Sequence, residues 1–157
     1  MANNARTFPE LFFFAVLAGE EPIDHIQRSL LRERREMAPV LERVMRIHVI
    51  EEARHLCFAR QYLREQVPRL SRARLLAVQL RVPILLRLLS QLMLRPSPDV
   101  AELHGIPRDA LREAYSFSNE RHARRTLEAV AKTRELCEEL CVLSPRIAPL
   151  WRKLGLL

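Results

Sequence analysis

Apolar residues recur along this chain at spacings of three and four, the period of a helix rather than of a strand. The first such run opens at Pro9, a favoured first helical residue, with Thr7 or Phe8 before it. It passes through Phe12, Phe13, Val16, Leu17, Ile23, Gln27 and Leu31 and predicts a helix to about Arg35. Pro22 removes an N–H from that helix, which predicts a kink or a π-bulge near Glu20 and Glu21. A second helix is predicted from Pro39 to Gln66, where Pro68 ends it, and a third from Ser71 to Leu94, bent at Pro83. Arg95 to Pro98 reads as a linker. Pro107 opens a short helix to about Phe117, and Ser118 or Asn119 caps a longer one to about Leu143. A terminal helix through Trp151 stops at Gly155. With no alternating Val, Ile and Thr run, the fold class is all-α. The expectation is one helical domain over 1–157, with core and ligand-bearing helices in 7–94 and trailing helices in 99–157.

Within the second helix, Leu41, Val44, Met45, Ala59, Tyr62 and Leu63 share one stripe, and His48, Glu52 and His55 fall in register inside it. A sequence built only for packing would place Leu or Ile there. Two imidazoles and a carboxylate are costly to desolvate unless something compensates them, and a divalent metal does so. A hydrogen-bonded network would use the same residue types, but three ligand-type side chains on one apolar stripe point to iron, manganese or zinc. Glu52 and His55 make a Glu-x-x-His pair, the spacing that di-metal helix bundles project inward. The first helix offers a fourth ligand, Glu20 or Glu21. Straight-helix phase puts Glu20 with Phe13, Val16, Ile23 and Gln27, and Glu21 with the wetter Asp24, His25 and Arg28, which favours Glu20. Glu51, at the edge of the same face, either orients a histidine or is a solvated residue paired with an arginine of a neighbouring helix. These phases predict that the metal-bearing helix is central and packs against the Glu20 helix.

Composition changes little of this picture. The net charge of +7 comes almost wholly from arginine, spread over every helix without a basic and aromatic stripe, so nucleic acid is not expected as a partner. Cys57, Cys137 and Cys141 form no disulfide framework, which points to a reducing cytoplasm; Cys137 and Cys141, four apart on one predicted helix, could approach each other but read as small core residues. Leu75 to Leu94 is very apolar, but Arg81, Pro83 and Arg87 make it a poor membrane span. His25, His104 and His122 have no partner at ligand spacing and read as surface or capping residues.

The segment Glu20-Glu21-Pro22-Ile23-Asp24-His25-Ile26-Gln27-Arg28, followed by His48-x-x-x-Glu52-Ala53-Arg54-His55 and a closing Trp151-Arg-Lys-Leu-Gly-Leu, resembles the second half of the para-aminobenzoate N-oxygenase family. The resemblance implies a ferritin-like bundle in which two irons use O2 to oxidise an arylamine, with electrons from an external donor. It implies that Glu20 or Glu21, with His48, Glu52 and His55, are iron ligands. In that family a first half adds a Glu and another Glu-x-x-His, and this chain has no second Glu-x-x-His. The expectation is therefore half of the diiron bundle, not a competent oxygenase by itself, that works as a homodimer or with a separately encoded first half.

Overall fold

The computed structural model describes residues 6–33, 37–116 and 118–157, and every regular element among them is helical. Three long helices form the body: α1 (Pro9–Arg32), α2 (Pro39–Gln66) and α3 (Arg72–Leu94). A single 3₁₀ turn, Val67–Arg69, joins the last two around Pro68. α1 begins as expected, with Pro at its first turn and Glu10 complementing the helix dipole. Its α-helical turns continue through Pro22, so the expected π-bulge at Glu20 and Glu21 does not form.

α1 and α2 are antiparallel. Phe13 packs on Tyr62 with ring centroids 4.3 Å apart, Glu21 meets Arg60, and Gln27 meets His48. α3 runs alongside α1 in the same direction, with Arg74 bonded to Thr7 and Glu10 near its start. The central helix is therefore α1, flanked by α2 and α3, and not the helix that carries His48, Glu52 and His55. The reason lies in composition around the helix. Residues 11–18 of α1 are an uninterrupted apolar run that can bury several sides at once, whereas α2 keeps a stripe on one side and charges elsewhere.

Shorter helices follow: α4 (Pro98–Leu103), α5 (Arg108–Ala114), α6 (Glu120–Ala129), α7 (Ala131–Glu139) and α8 (Ala148–Lys153). α4 starts at the last residue of the Arg95–Pro98 linker, in a segment where the sequence predicts no helix, because Ser97 accepts a hydrogen bond from Val100 N–H and Pro98 follows at the first turn. Asn119, rather than Ser118, caps α6 by accepting the N–H of His122 at 3.1 Å. The long helix expected to reach Leu143 is broken at Val130 (φ −107°, ψ 8°) into α6 and α7. The chain then turns at Cys141 with φ 57°, so Cys137 and Cys141 do not share a helix. Of the three thiols only Cys137 is a core residue; Cys57 and Cys141 are exposed, and all three are unpaired.

The core gathers Phe14 and Leu17 from α1, Leu56, Ala59 and Leu63 from α2, and Val78, Val82 and Leu86 from α3. Val130, Leu136, Trp151 and Leu156 close it from the trailing segment, which covers one side of α1 only. Phe14, Leu17, Glu21 and Asp24 lie on the buried sides of α1. Phe12, Phe13, Val16, Glu20 and Ile23 remain half-buried, along the floor of a trough between α2 and α3. This all-α arrangement is half of a ferritin-like bundle. The stretch Arg72–Leu103 is long and apolar enough to cross a membrane, but Val78, Val82 and Leu86 within it are packed in the core.

Candidate metal centre

The antiparallel pairing of α1 and α2 brings Glu20 to the Glu-x-x-His turn of α2. Glu20, Glu52 and His55 each offer a ligand atom, and these atoms lie within 4.8 Å of one another. His55 Nδ1 is 3.6 Å from Glu20 Oε2 and 4.0 Å from Glu52 Oε2. His48, one turn earlier, places Nε2 3.1 Å from Glu52 Oε1. Its other nitrogen, Nδ1, is 3.0 Å from the Gln27 side-chain oxygen. That oxygen can accept from Nδ1 of a neutral His48, the tautomer that would leave the Nε2 lone pair on the Glu52 side, where a metal ligand needs it. Gln27 thus stands behind His48 as an orienting partner. Its signal in the sequence was its position seven residues after Glu20, on the same face of α1.

The donor set fits a metal on a second observation. Glu20 Oε2 and Glu52 Oε2 are both buried with no hydrogen-bond partner. Buried carboxylate oxygens without partners are uncommon and costly. Two carboxylates with neutral imidazoles suit iron, manganese or zinc.

Glu21 turns away from this group. It is buried, accepts a hydrogen bond from Arg60, and takes the Thr133 hydroxyl and the Thr133 N–H (2.9 Å) on its other oxygen. It ties α1 to α2 and α7, and the geometry brings Glu20, not Glu21, to His55 and Glu52. Glu51 is exposed and pairs with Arg54 at 3.3 Å on its own helix, reaching neither histidine. The stripe that holds the histidines is less buried than its apolar neighbours predict. Glu52 is buried, but the His48 and His55 side chains are 43% and 58% exposed, and Leu41 and Val44 are exposed too. Periodicity identifies the shared face; among the described residues nothing covers its outer half. Among the remaining histidines, His104 is exposed, whereas His122 is buried against Tyr115 with ring centroids 5.2 Å apart. Burial, with Arg87, Arg125 and Arg95 nearby, pushes its pKa down.

Burial and the adjacent Glu52 push the Glu20 carboxyl up to about 8 from its usual 4.5. Below about 4.5 the group is protonated whether the chain is folded or not; up to about 8 only the folded chain keeps the proton. The favourable contribution of neutral Glu20 is therefore complete at acid pH and lost as pH rises through about 8. The metal-free chain should melt at progressively lower temperature across that window, and Glu20→Gln should flatten the decline. Parallel profiles for the two proteins would show that Glu20 does not hold that proton.

Helices in this arrangement, with a group of carboxylates and imidazoles able to hold a metal ion, have the form of half a ferritin-like metalloprotein. The chain belongs to the p-aminobenzoate N-oxygenase AurF family, a family of diiron enzymes, whose model matches residues 1–140. It is 38% identical over 148 residues to Uncharacterized protein Rv0885 of Mycobacterium tuberculosis. It is equally similar to Uncharacterized protein Mb0909 of Mycobacterium bovis. Each alignment covers 94% of this chain and 43% of the relative, so the chain spans less than half the length of the curated relatives it matches. No solved structure is a significant match.

Proposed function

We propose that this chain supplies the metal-holding half of a non-haem diiron oxygenase that inserts oxygen from O2 at the nitrogen of an arylamine. The observation that carries this reading is the convergence of Glu20, Glu52 and His55, with two orphaned carboxylate oxygens, beside an aromatic-lined pocket. Glu20, His48, Glu52 and His55 would hold iron, which when bound supplies the electrons that activate O2. The protein's own part is then to position the ligands and the amine. Gln27, bonded to His48 Nδ1, would hold the ring in the tautomer that leaves Nε2 free for a metal. Phe13, Val16 and Phe58 line a pocket of about 400 Å³ that ends on Glu20 and His55, a surface suited to a planar ring. Phe13 and Phe58 sit edge to face, with centroids 5.6 Å apart, so the wall of that pocket is set by aromatic packing.

The unpaired thiols are those of a protein kept in a reducing cytoplasm. A second reading, a helical metal-binding protein without oxygenase chemistry, draws support from the openness of the site, whose ligand-type residues come from two helices alone among the described residues. Anaerobic loading with ferrous iron, followed by isotopically labelled O2, a reductant and a 4-aminobenzoate-type amine, separates them. The oxygenase reading expects labelled oxygen on the product nitrogen. Iron retained with the amine recovered unchanged would favour the second reading.

A further inference from the structure

Ferritin-like di-metal bundles take one Glu from each of two helices and one Glu-x-x-His from each of the other two. Among the described residues, α1 supplies one such Glu, Glu20, and α2 one such pair, Glu52 and His55. The set is half of a two-fold symmetric whole, so a second copy of the same chain completes the pattern, with His48 of each copy as a further nitrogen donor beside it. We propose that two copies pair about a two-fold axis over the trough, enclosing one di-metal site between Glu20, Glu52 and His55 of both. The proposal rests on the metal-binding reading above.

The surfaces around the half-site suit this occupant. On α2, Val44 and Phe58 are 55% and 63% exposed, one turn before His48 and one turn after His55, and Val40 and Ile47, 71% and 54% exposed, flank the same side. On the opposite wall Leu88 and Leu92 are exposed beside the trough. An apolar surface this extended, with a small polar group at its centre, is the form of an interface core rather than of a solvated helix face. A two-fold axis places each copy's α2 edge against the other copy's open side, so one patch serves both partners.

Charge adds a condition. Pairing brings four carboxylates together, two from each copy, in a space that the trough walls shield from water. Two divalent ions balance four carboxylate charges, whereas without cations the four carboxyls shut into one space must either repel or hold on to protons. Pairing is therefore linked to metal, and each raises the affinity for the other.

The test uses manganese(II) alone as probe, with mass measured by light scattering on the full chain in chelator and then with excess metal. We expect the mass of one copy in chelator, a doubling with manganese, and two manganese per pair. Val44→Glu and Leu88→Glu lie at exposed positions, so each should keep the helical circular dichroism of the parent while abolishing the doubling. Metal bound to a chain that stays a single copy would overturn the pairing and leave the metal site standing. No metal bound at either mass would overturn the metal reading itself. A pair that persists unchanged in chelator would overturn the link between metal and assembly.

Discussion

Replacing both histidines, as His48→Ala/His55→Ala, should remove iron from the chain almost completely. Loss of a single outer partner of a metal ligand already weakens metal binding by about 10–100-fold. Here two inner donors go, and Glu52 and Glu20 are left as the only members of the group, with Oε2 of each still lacking a partner. Elemental analysis of iron per chain, after anaerobic loading and desalting, measures the outcome. Both side chains are half or more exposed to solvent or close to it, so their loss should leave the helical content and melting temperature nearly as they were. Equal iron in the parent and the double variant would remove this group from consideration as a metal site.

Glu21→Ala should have the opposite signature. Glu21 is 5% exposed and receives Arg60 from α2 and both donors of Thr133 from α7. Removing it strands a largely buried guanidinium and a buried hydroxyl together. Breaking a buried pair from one side costs about 3–5 kcal/mol. At ~2–4 °C per kcal/mol for a chain of this size, the melting temperature should drop by roughly 6–20 °C. The metal-to-chain ratio of the protein that remains folded should not change. Thermal unfolding and metal analysis on Glu20→Gln and Glu21→Ala side by side thus assign adjacent carboxylates to different work. If Glu21→Ala lost metal and kept its stability, the assignment of the two would be reversed.

The Glu-x-x-His spacing of Glu52 and His55 is explicit in the sequence, and helical phase puts Glu20, not Glu21, on the side of α1 that the structure turns toward them, since α1 stays α-helical through Pro22. Three other features were not readable, for separable reasons. Periodicity says which residues share a face but not whether a neighbour covers it, so the exposure of Val44, His48 and His55 could not be foreseen. The role of Glu21 depends on Thr133, 112 residues away in sequence, and no local pattern links them. The break at Val130 lies in a run of good helix formers, where tertiary packing, not propensity, ends the turn.

Because Glu20 and Glu21 are neighbours in one helix, the clamp formed by Glu21, Arg60 and Thr133 also fixes the backbone from which the Glu20 side chain hangs. α1 and α2 are held together a few ångströms from the half-site, on its dry side, by bonds that owe nothing to an ion. The distance between the two helices is therefore a property of the fold. Any rearrangement at the half-site has to be taken up by rotation about the side-chain bonds of Glu20, Glu52 and the histidines. A frame of that kind would favour ions whose radius the side chains can reach over those that would need the helices to spread.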